Sequence, residues 1–269
     1  MNLEEQINQL DLSTYPISEI ETIIDEIYKL ALLSTTIPAG STFQRCSHML
    51  EGEKDNLISR LSYNPCPEKY GRANVPLVPM IYGCYDKPNE YKIKKEMCAC
   101  SFEARAQRYS SVIYSKWLVN QPLQVGCIVH PSIYPNSKND LLEEIKQNYA
   151  FQVIRNNEFE LDYIWGQVCA MFSKEILDDN DYEYLFTALL TKKLIEVSHY
   201  DGILFPPVQT AGELCMNLAL TKDAIDNKVS FESAQKSKVS YENNVYIITP
   251  LQLGESQDGE TIVWSDVKR

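Results

Sequence analysis

Histidine occurs only three times, at His48, His130 and His199, and glycine only ten times in 269 residues. The first scarcity restricts any Ser-His-Asp or Cys-His hydrolase to three bases, each of which reads more simply as a solvated or hydrogen-bonded histidine. The second leaves few phosphate-cradling loops. The chain contains no G-x-S-x-G, G-x-x-x-x-G-K-[ST], G-x-G-x-x-G or H-E-x-x-H, so the common hydrolase, P-loop, dinucleotide-fold and metalloprotease signatures are missing. No apolar run reaches membrane-spanning length, and MNLEEQINQL is acidic and amphipathic rather than basic then apolar. These features predict no membrane partner, no signal peptide and a cytoplasmic location. Positive charge is also short: 25 Lys and Arg against 37 Asp and Glu give a net charge of −12, which repels phosphate backbones and predicts no nucleic-acid partner.

Cysteine is not scarce, but its eight positions are irregularly spaced, as expected of reduced and mostly buried thiols in a chain large enough to do without disulfides. The one close pair, Cys98-Ala99-Cys100, has no second pair or nearby His to complete a tetrahedral ligand set, and no metal is expected. The acidic run Asp178-Asp179-Asn180-Asp181 lacks the alternating ligands and terminal Glu of a calcium loop and reads as a helix N-terminal cap.

With 44% apolar and 23% charged residues the composition is that of a soluble globular chain. Residues 18–33 place Ile20, Ile23, Ile24, Ile27 and Leu30 on one helical stripe, and Ser18 with Glu21 has capping-box spacing. Breaks at Pro16 and in TTIPAGST set residues 1–40 apart as an N-terminal helical appendage. Its stripe is expected to pack on the chain's own body, with a partner-docking face as the alternative. From residue 41 the pattern turns to strands: SVIYSKWLV (111–119) and LQVGCIV (123–129) are rich in β-branched and aromatic residues. Helical periodicity covers about 139–196, with Leu185, Leu189, Leu190 and Leu194 at helical spacing, and GILFPPV and MNLAL return to strand character. A C-terminal hairpin is expected at about 243–267. Strands, then helices, then strands predict an α+β fold. Trp117 and Trp165 lie in apolar runs and read as core residues, and Asp201-Gly202 reads as a turn.

The segment Gly71-Arg72-Ala73-Asn74-Val75-Pro76-Leu77-Val78-Pro79-Met80-Ile81-Tyr82-Gly83 carries the most chemical information. A proline-punctuated loop bearing Arg72 leads into a strand, where a guanidinium could grip a phosphate or carboxylate bidentately. Taken alone, an ordinary ion pair is the simpler reading. Further motifs flank it in order: Thr42-Phe43-Gln44-Arg45 before it, then Ala99-Cys100-Ser101-Phe102-Glu103-Ala104-Arg105, Tyr114-Ser115-Lys116-Trp117, Tyr200-Asp201-Gly202 through Gln209, and Asn217-Leu218-Ala219-Leu220. Over residues 42 to about 222 this series resembles the RES-domain family, named for its Arg, Glu and Ser.

The resemblance implies an ADP-ribosyltransferase-like fold with a split β-sheet core, residues 41–269 forming the domain and the helical stretch an insertion. It also implies an enzyme that takes NAD as substrate rather than as a cofactor and breaks the nicotinamide-ribose bond by hydrolysis or phosphorolysis, in a toxin or phage-defence setting. A protein antitoxin or regulator is implied as partner, and self-association is left open. Carried over by position, Arg72 holds a phosphate or ribose oxygen, Tyr82 meets the nicotinamide ribose, Glu103 stabilises the developing cation, and Arg45, Asn74 and Thr210 are substrate-binding candidates. Glu103 is preferred to Glu96, which in the Lys-rich KIKKEM run reads as a solvated surface acid. Pro207 stands where the family has its Ser and can supply neither a hydroxyl nor an N–H. A catalytically impaired nucleotide- or protein-binding module, and ADP-ribosyl transfer to a macromolecule, therefore remain as alternatives.

Overall fold

The computed structural model describes residues 3–28, 33–49, 52, 54–88, 91–106, 111–156, 159–176, 180–243 and 245–267. Two helices, α1 (Leu3–Gln9) and α2 (Ile17–Ile27), precede strands β1 (Ser34–Ile37) and β2 (Thr42–His48). The short helix α3 (Ile58–Leu61), β3 (Met80–Tyr85), α4 (Lys92–Glu103), β4 (Ser111–Val119) and β5 (Leu123–Cys127) follow. A helical stretch of α5 (Asp140–Asn156), α6 (Phe159–Ser173) and α7 (Leu185–Ser198) leads to β6 (Gly202–Phe205) and β7 (Met216–Thr221). Helix α8 (Lys222–Lys228) and strands β8 (Val229–Glu242), β9 (Val245–Ser256) and β10 (Ile262–Asp266) complete the order.

All ten strands join one sheet in the order β1-β5-β6-β7-β3-β2-β4-β8-β9-β10. The fold is α+β with a mostly antiparallel sheet; among the described residues the sole parallel neighbours are β5 and β6. Parallel neighbours cannot be joined by a tight turn, and α5 to α7 form the long crossover that this pair requires. Side chains alternate along β6 and β7: Leu204, Leu218 and Leu220 enter one apolar cluster, while Ile203, Phe205 and Ala219 enter another with α2, α6 and α7.

The amino-terminal stripe is part of this second cluster. Ile20, Ile23, Ile24 and Ile27 are each almost wholly buried with Phe172, Leu189 and Leu190, a gain of about 1.5–3 kcal/mol per side chain. The partner-docking alternative therefore fails for that face. The capping box is also not formed: the helix starts one residue earlier, with Pro16 at the cap and no side-chain bond there. Leu30 lies outside the described residues. Residues 34–37 pair with β5 as an edge strand, so the first 40 residues contribute a strand as well as helices.

At the other end, β9 and β10 form the expected hairpin, but β8 pairs along β9 and β4 and makes it a three-stranded meander. In the acidic run, Asp178 and Asp179 lie outside the described residues. Asn180 caps nothing with its side chain; Asp181 instead accepts from the Tyr15 hydroxyl (2.7 Å) and the Tyr70 N–H (3.3 Å). Trp117 and Trp165 are core residues whose indole N–H groups reach Ser115 Oγ (2.9 Å) and the Val129 carbonyl (3.2 Å).

Candidate active site

Strands β2 and β3 are neighbours in the sheet yet pair at one position, Gln44 with Cys84, whereas β2 pairs with β4 from Thr42 to His48. Gly83 sits at this pinch. A Cβ there would lie 2.7 Å from the Gln44 carbonyl oxygen and 2.8 Å from Phe43 Cδ2, so only glycine lets the strands approach. Away from the pinch the two strands are unpaired, and a cavity of about 300 Å³ is lined by Arg45, Cys46 and His48 of β2, Tyr82, Gly83 and Cys84 of β3, and Arg72. The end of α4 (Cys100, Glu103, Ala104), Phe205 and Asn217 complete the lining. Arg45, Arg72, Tyr82 and Glu103 are thus brought together; Asn74 and Thr210 are not.

The Gly-Arg-x-Asn segment is a turn that closes on itself. The Gly71 N–H donates to the Asn74 carbonyl (2.9 Å), and a Cβ on Gly71 would lie 2.4 Å from Asn74 Oδ1. The Tyr82 hydroxyl donates to that Oδ1 (2.8 Å) and accepts from the Ala73 N–H (2.9 Å), while the Asn74 amide donates to the carbonyls of Val75 (3.2 Å) and Lys69 (3.4 Å). Asn74 is buried with all its polar atoms engaged, which corrects the expectation that it binds substrate: it ties the turn to β3. The Tyr82 ring lines the cavity, and burial raises its hydroxyl above the ordinary range.

The turn delivers Arg72 to the end of α6. Nη1 donates to the carbonyls of Phe172 (2.6 Å) and Met171 (3.3 Å), Nη2 to that of Lys174 (3.0 Å), and the guanidinium lies 5.3 Å from the Tyr184 ring centre. These are the orphan carbonyls of a helix C-terminus, so Arg72 caps α6 while facing the cavity. Three of its five N–H donors are thereby taken by the chain itself, so Arg72 has a capping role at α6 beside its place in the cavity lining.

Arg45 is differently placed. Among the described residues its one side-chain hydrogen bond runs from Nη1 to the Tyr82 carbonyl (2.9 Å), its Nε is buried without a partner, and no carboxylate forms an ion pair with it. Burial lowers its pKa, the cost of holding a cation without a counter-charge. Burial, then Arg45 and Arg60, lower that of His48.

Glu103, the last residue of α4, accepts from the Gln209 N–H at Oε1 (2.9 Å) and from Asn217 Nδ2 at Oε2 (3.1 Å). Burial raises its pKa, against the lowering influence of these donors and of Arg72. Glu96 lies elsewhere. It is fully buried, pairs with Lys92 (2.7 Å) and accepts from the Asp86 N–H (3.0 Å), and burial raises it to about 7. The expectation of a solvated surface acid is wrong here, because Lys92, Glu96, Ala99 and Cys100 share the face of α4 that packs on the sheet. Thr210 follows the Gln209 contact but its hydroxyl is buried without a partner and outside the cavity lining.

Asn217, Gln209 and His48 were not anticipated as site residues. An asparagine inside an apolar strand was a readable signal for the first; the second acts through its backbone and left none. Cys84 and Cys100 donate weakly to Asn217 Oδ1 (3.7 Å) and the Gln44 carbonyl (3.2 Å), and both thiols are held well above their ordinary pKa, so they are neutral and poor nucleophiles. Among the described residues no group of His, Cys, Asp or Glu could hold a metal ion, and no helix is long and apolar enough to cross a membrane. A wider depression of about 1100 Å³ lies over Trp117 and Phe231; of its two carboxylates, Asp226 and Glu260, the first is taken by Tyr63 and Lys222.

No family model matches the chain, and no curated protein matches it. Among solved structures, the crystal structure of the M. tuberculosis MbcT-MbcA toxin-antitoxin complex is similar at 12% identity and a TM-score of 0.38, covering 78% of this chain and 90% of that one.

Proposed function

We propose that the chain is a RES-type enzyme with an ADP-ribosyltransferase-like core that consumes NAD by breaking the bond between nicotinamide and ribose. One observation carries the reading: Arg45, Arg72, Tyr82 and Glu103, from three separate segments of the sequence, line one cavity at the split between β2 and β3. Departure of nicotinamide leaves positive charge on the ribose, and an ionised Glu103 held in a partly desolvated site stabilises that charge. Water, or phosphate, adds to the ribose carbon from which nicotinamide leaves. Arg45 supplies the counter-charge for a substrate phosphate, and Arg72, fixed on α6, biases the potential around Glu103. A regulating protein partner of antitoxin type belongs to the same reading.

A second reading rests on Pro207. The proline is buried and brings no hydroxyl, and the Thr210 hydroxyl does not line the cavity, which favours a module that binds the nucleotide without turning it over. The Gln209 N–H, the donor that reaches Glu103 just after the two prolines, weighs against it.

Incubation of the purified chain with NAD is expected to release nicotinamide, and Glu103→Gln to abolish release with the far-ultraviolet dichroism unchanged. Intact NAD, with and without phosphate, overturns the first reading; calorimetric binding of NAD without consumption then supports the second.

A further inference from the structure

Resting on the NAD-cleaving reading, we infer that the cavity recognises the nicotinamide mononucleotide half of its substrate, and that free nicotinamide mononucleotide is itself cleaved. Three observations converge.

The first is size. A cavity of about 300 Å³ stands at the lower bound for drug-sized ligands, which suits one nucleotide; a dinucleotide is twice as large.

The second is charge. A pyrophosphate held by two guanidiniums draws on both, and the two differ in what they have to offer. Arg72 spends three of its five N–H donors on the carbonyls of Met171, Phe172 and Lys174, and withdrawing it would strip those bonds from the end of α6. Arg45 makes one side-chain hydrogen bond among the described residues, keeps a buried, unpartnered Nε, and has no ion pair there with a carboxylate. A half-buried cation with a buried, unpartnered Nε gains from an anion that joins it, and a single phosphate does so through charge-assisted hydrogen bonds.

The third is the aromatic lining. Among the described residues Tyr82 and Phe205 supply the carbocyclic rings of the cavity, enough to flank one base and its ribose, and the one other aromatic ring in the lining is the smaller imidazole of His48. The phosphate next to the nicotinamide ribose then meets Arg45, Glu103 faces the ribose, and the adenosine half of NAD lies outside.

In the mononucleotide reaction the bond between the ribose and the nicotinamide nitrogen breaks with its electron pair leaving on nicotinamide. Water forms the new carbon–oxygen bond and releases one proton to solvent, giving ribose 5-phosphate. No oxidant or metal enters the balance.

Nicotinamide release is measured from NAD, nicotinamide mononucleotide and nicotinamide riboside, with the wild-type chain, Arg45→Ala and Arg45→Lys. The expected kcat/KM for the mononucleotide lies within about tenfold of that for NAD, and the riboside, lacking the phosphate, falls about a hundredfold below both. Arg45→Ala brings the mononucleotide down toward the riboside, and Arg45→Lys, which keeps the charge, restores part of the difference. NAD turnover with the mononucleotide about a hundredfold slower overturns the inference and leaves NAD cleavage standing. A chain that cleaves none of the three overturns both. The wild-type comparison of mononucleotide with riboside decides the role of the phosphate even where a variant fails to fold.

Discussion

Asn217 Nδ2 lies 3.1 Å from Glu103 Oε2 while the Gln209 N–H lies 2.9 Å from Oε1, so both carboxylate oxygens are held by neutral donors, one on β7 and one in the turn after β6. Donors to the ionised form favour it, and they oppose the burial that pushes the Glu103 pKa up. The orientation of the carboxylate and its readiness to ionise are therefore set by the same two contacts.

Replacing Asn217 with alanine removes one of them. The Glu103 pKa rises further, and since the ionised form does the stabilising, the acid limb of the pH-rate profile moves to higher pH. At neutral pH nicotinamide release falls about tenfold, the worth of one hydrogen bond to a charged group, and recovers in part in alkaline buffer. Asn217→Asp sets a like charge beside Glu103 and moves the limb further the same way. A uniform loss of rate at every pH, with no displacement of the limb, counts against this role.

Glu96 gives a contrasting prediction on the same helix. Its carboxyl moves from an ordinary 4.5 to about 7 on burial. A folded pKa raised above the unfolded one means that the fold favours the protonated form. That contribution is complete below pH 4.5 and is lost as the pH rises through 7. The stability of the wild-type chain relative to Glu96→Gln is thus expected to shrink across this window and to level off above it, as read by urea unfolding in a series of buffers. Nicotinamide release by Glu96→Gln stays within a few-fold of wild type, because Glu96 does not line the cavity. A stability difference that is flat with pH, or a loss of turnover like that of Glu103→Gln, sinks the assignment.

Much of the molecule was readable in residue types, and the unreadable parts have physical causes. The β-branched runs of β4 and β5 and the leucine spacing of α7 declare themselves because each element buries an apolar face that its own periodicity displays. β8 did not: its sequence VSFESAQKSKVSYE is half exposed and polar, and it is a strand because β4 and β9 hold it on both sides. Arg72, Tyr82 and Glu103 could be chosen by motif, but what they do with their donors could not. Tyr82 ties down Asn74 and Arg72 caps α6 through tertiary contacts across up to 102 positions of sequence, to which no local pattern corresponds. The burial of Glu96 escaped for a related reason: a Lys-rich run signals solvent, while the helical face shared with Ala99 and Cys100 points at the sheet.

The two arginines of the cavity should separate by stability. Arg72→Ala strips three hydrogen bonds from the carbonyl end of α6 and the contact over Tyr184, and is expected to cost about 1–3 kcal/mol, with turnover falling as the Gly71–Asn74 turn loosens. Arg45→Ala loses one hydrogen bond but also removes a desolvated, unpaired cation, so stability stays within about 1 kcal/mol of wild type while turnover collapses. Thermal melts beside NAD turnover read both effects. Phosphate or a phosphate-bearing ligand should raise the melting temperature of Arg72→Ala, which keeps its anion site, and leave that of Arg45→Ala where it was. Equal ligand stabilisation of the two variants would mean that Arg45 is not the anion-binding group.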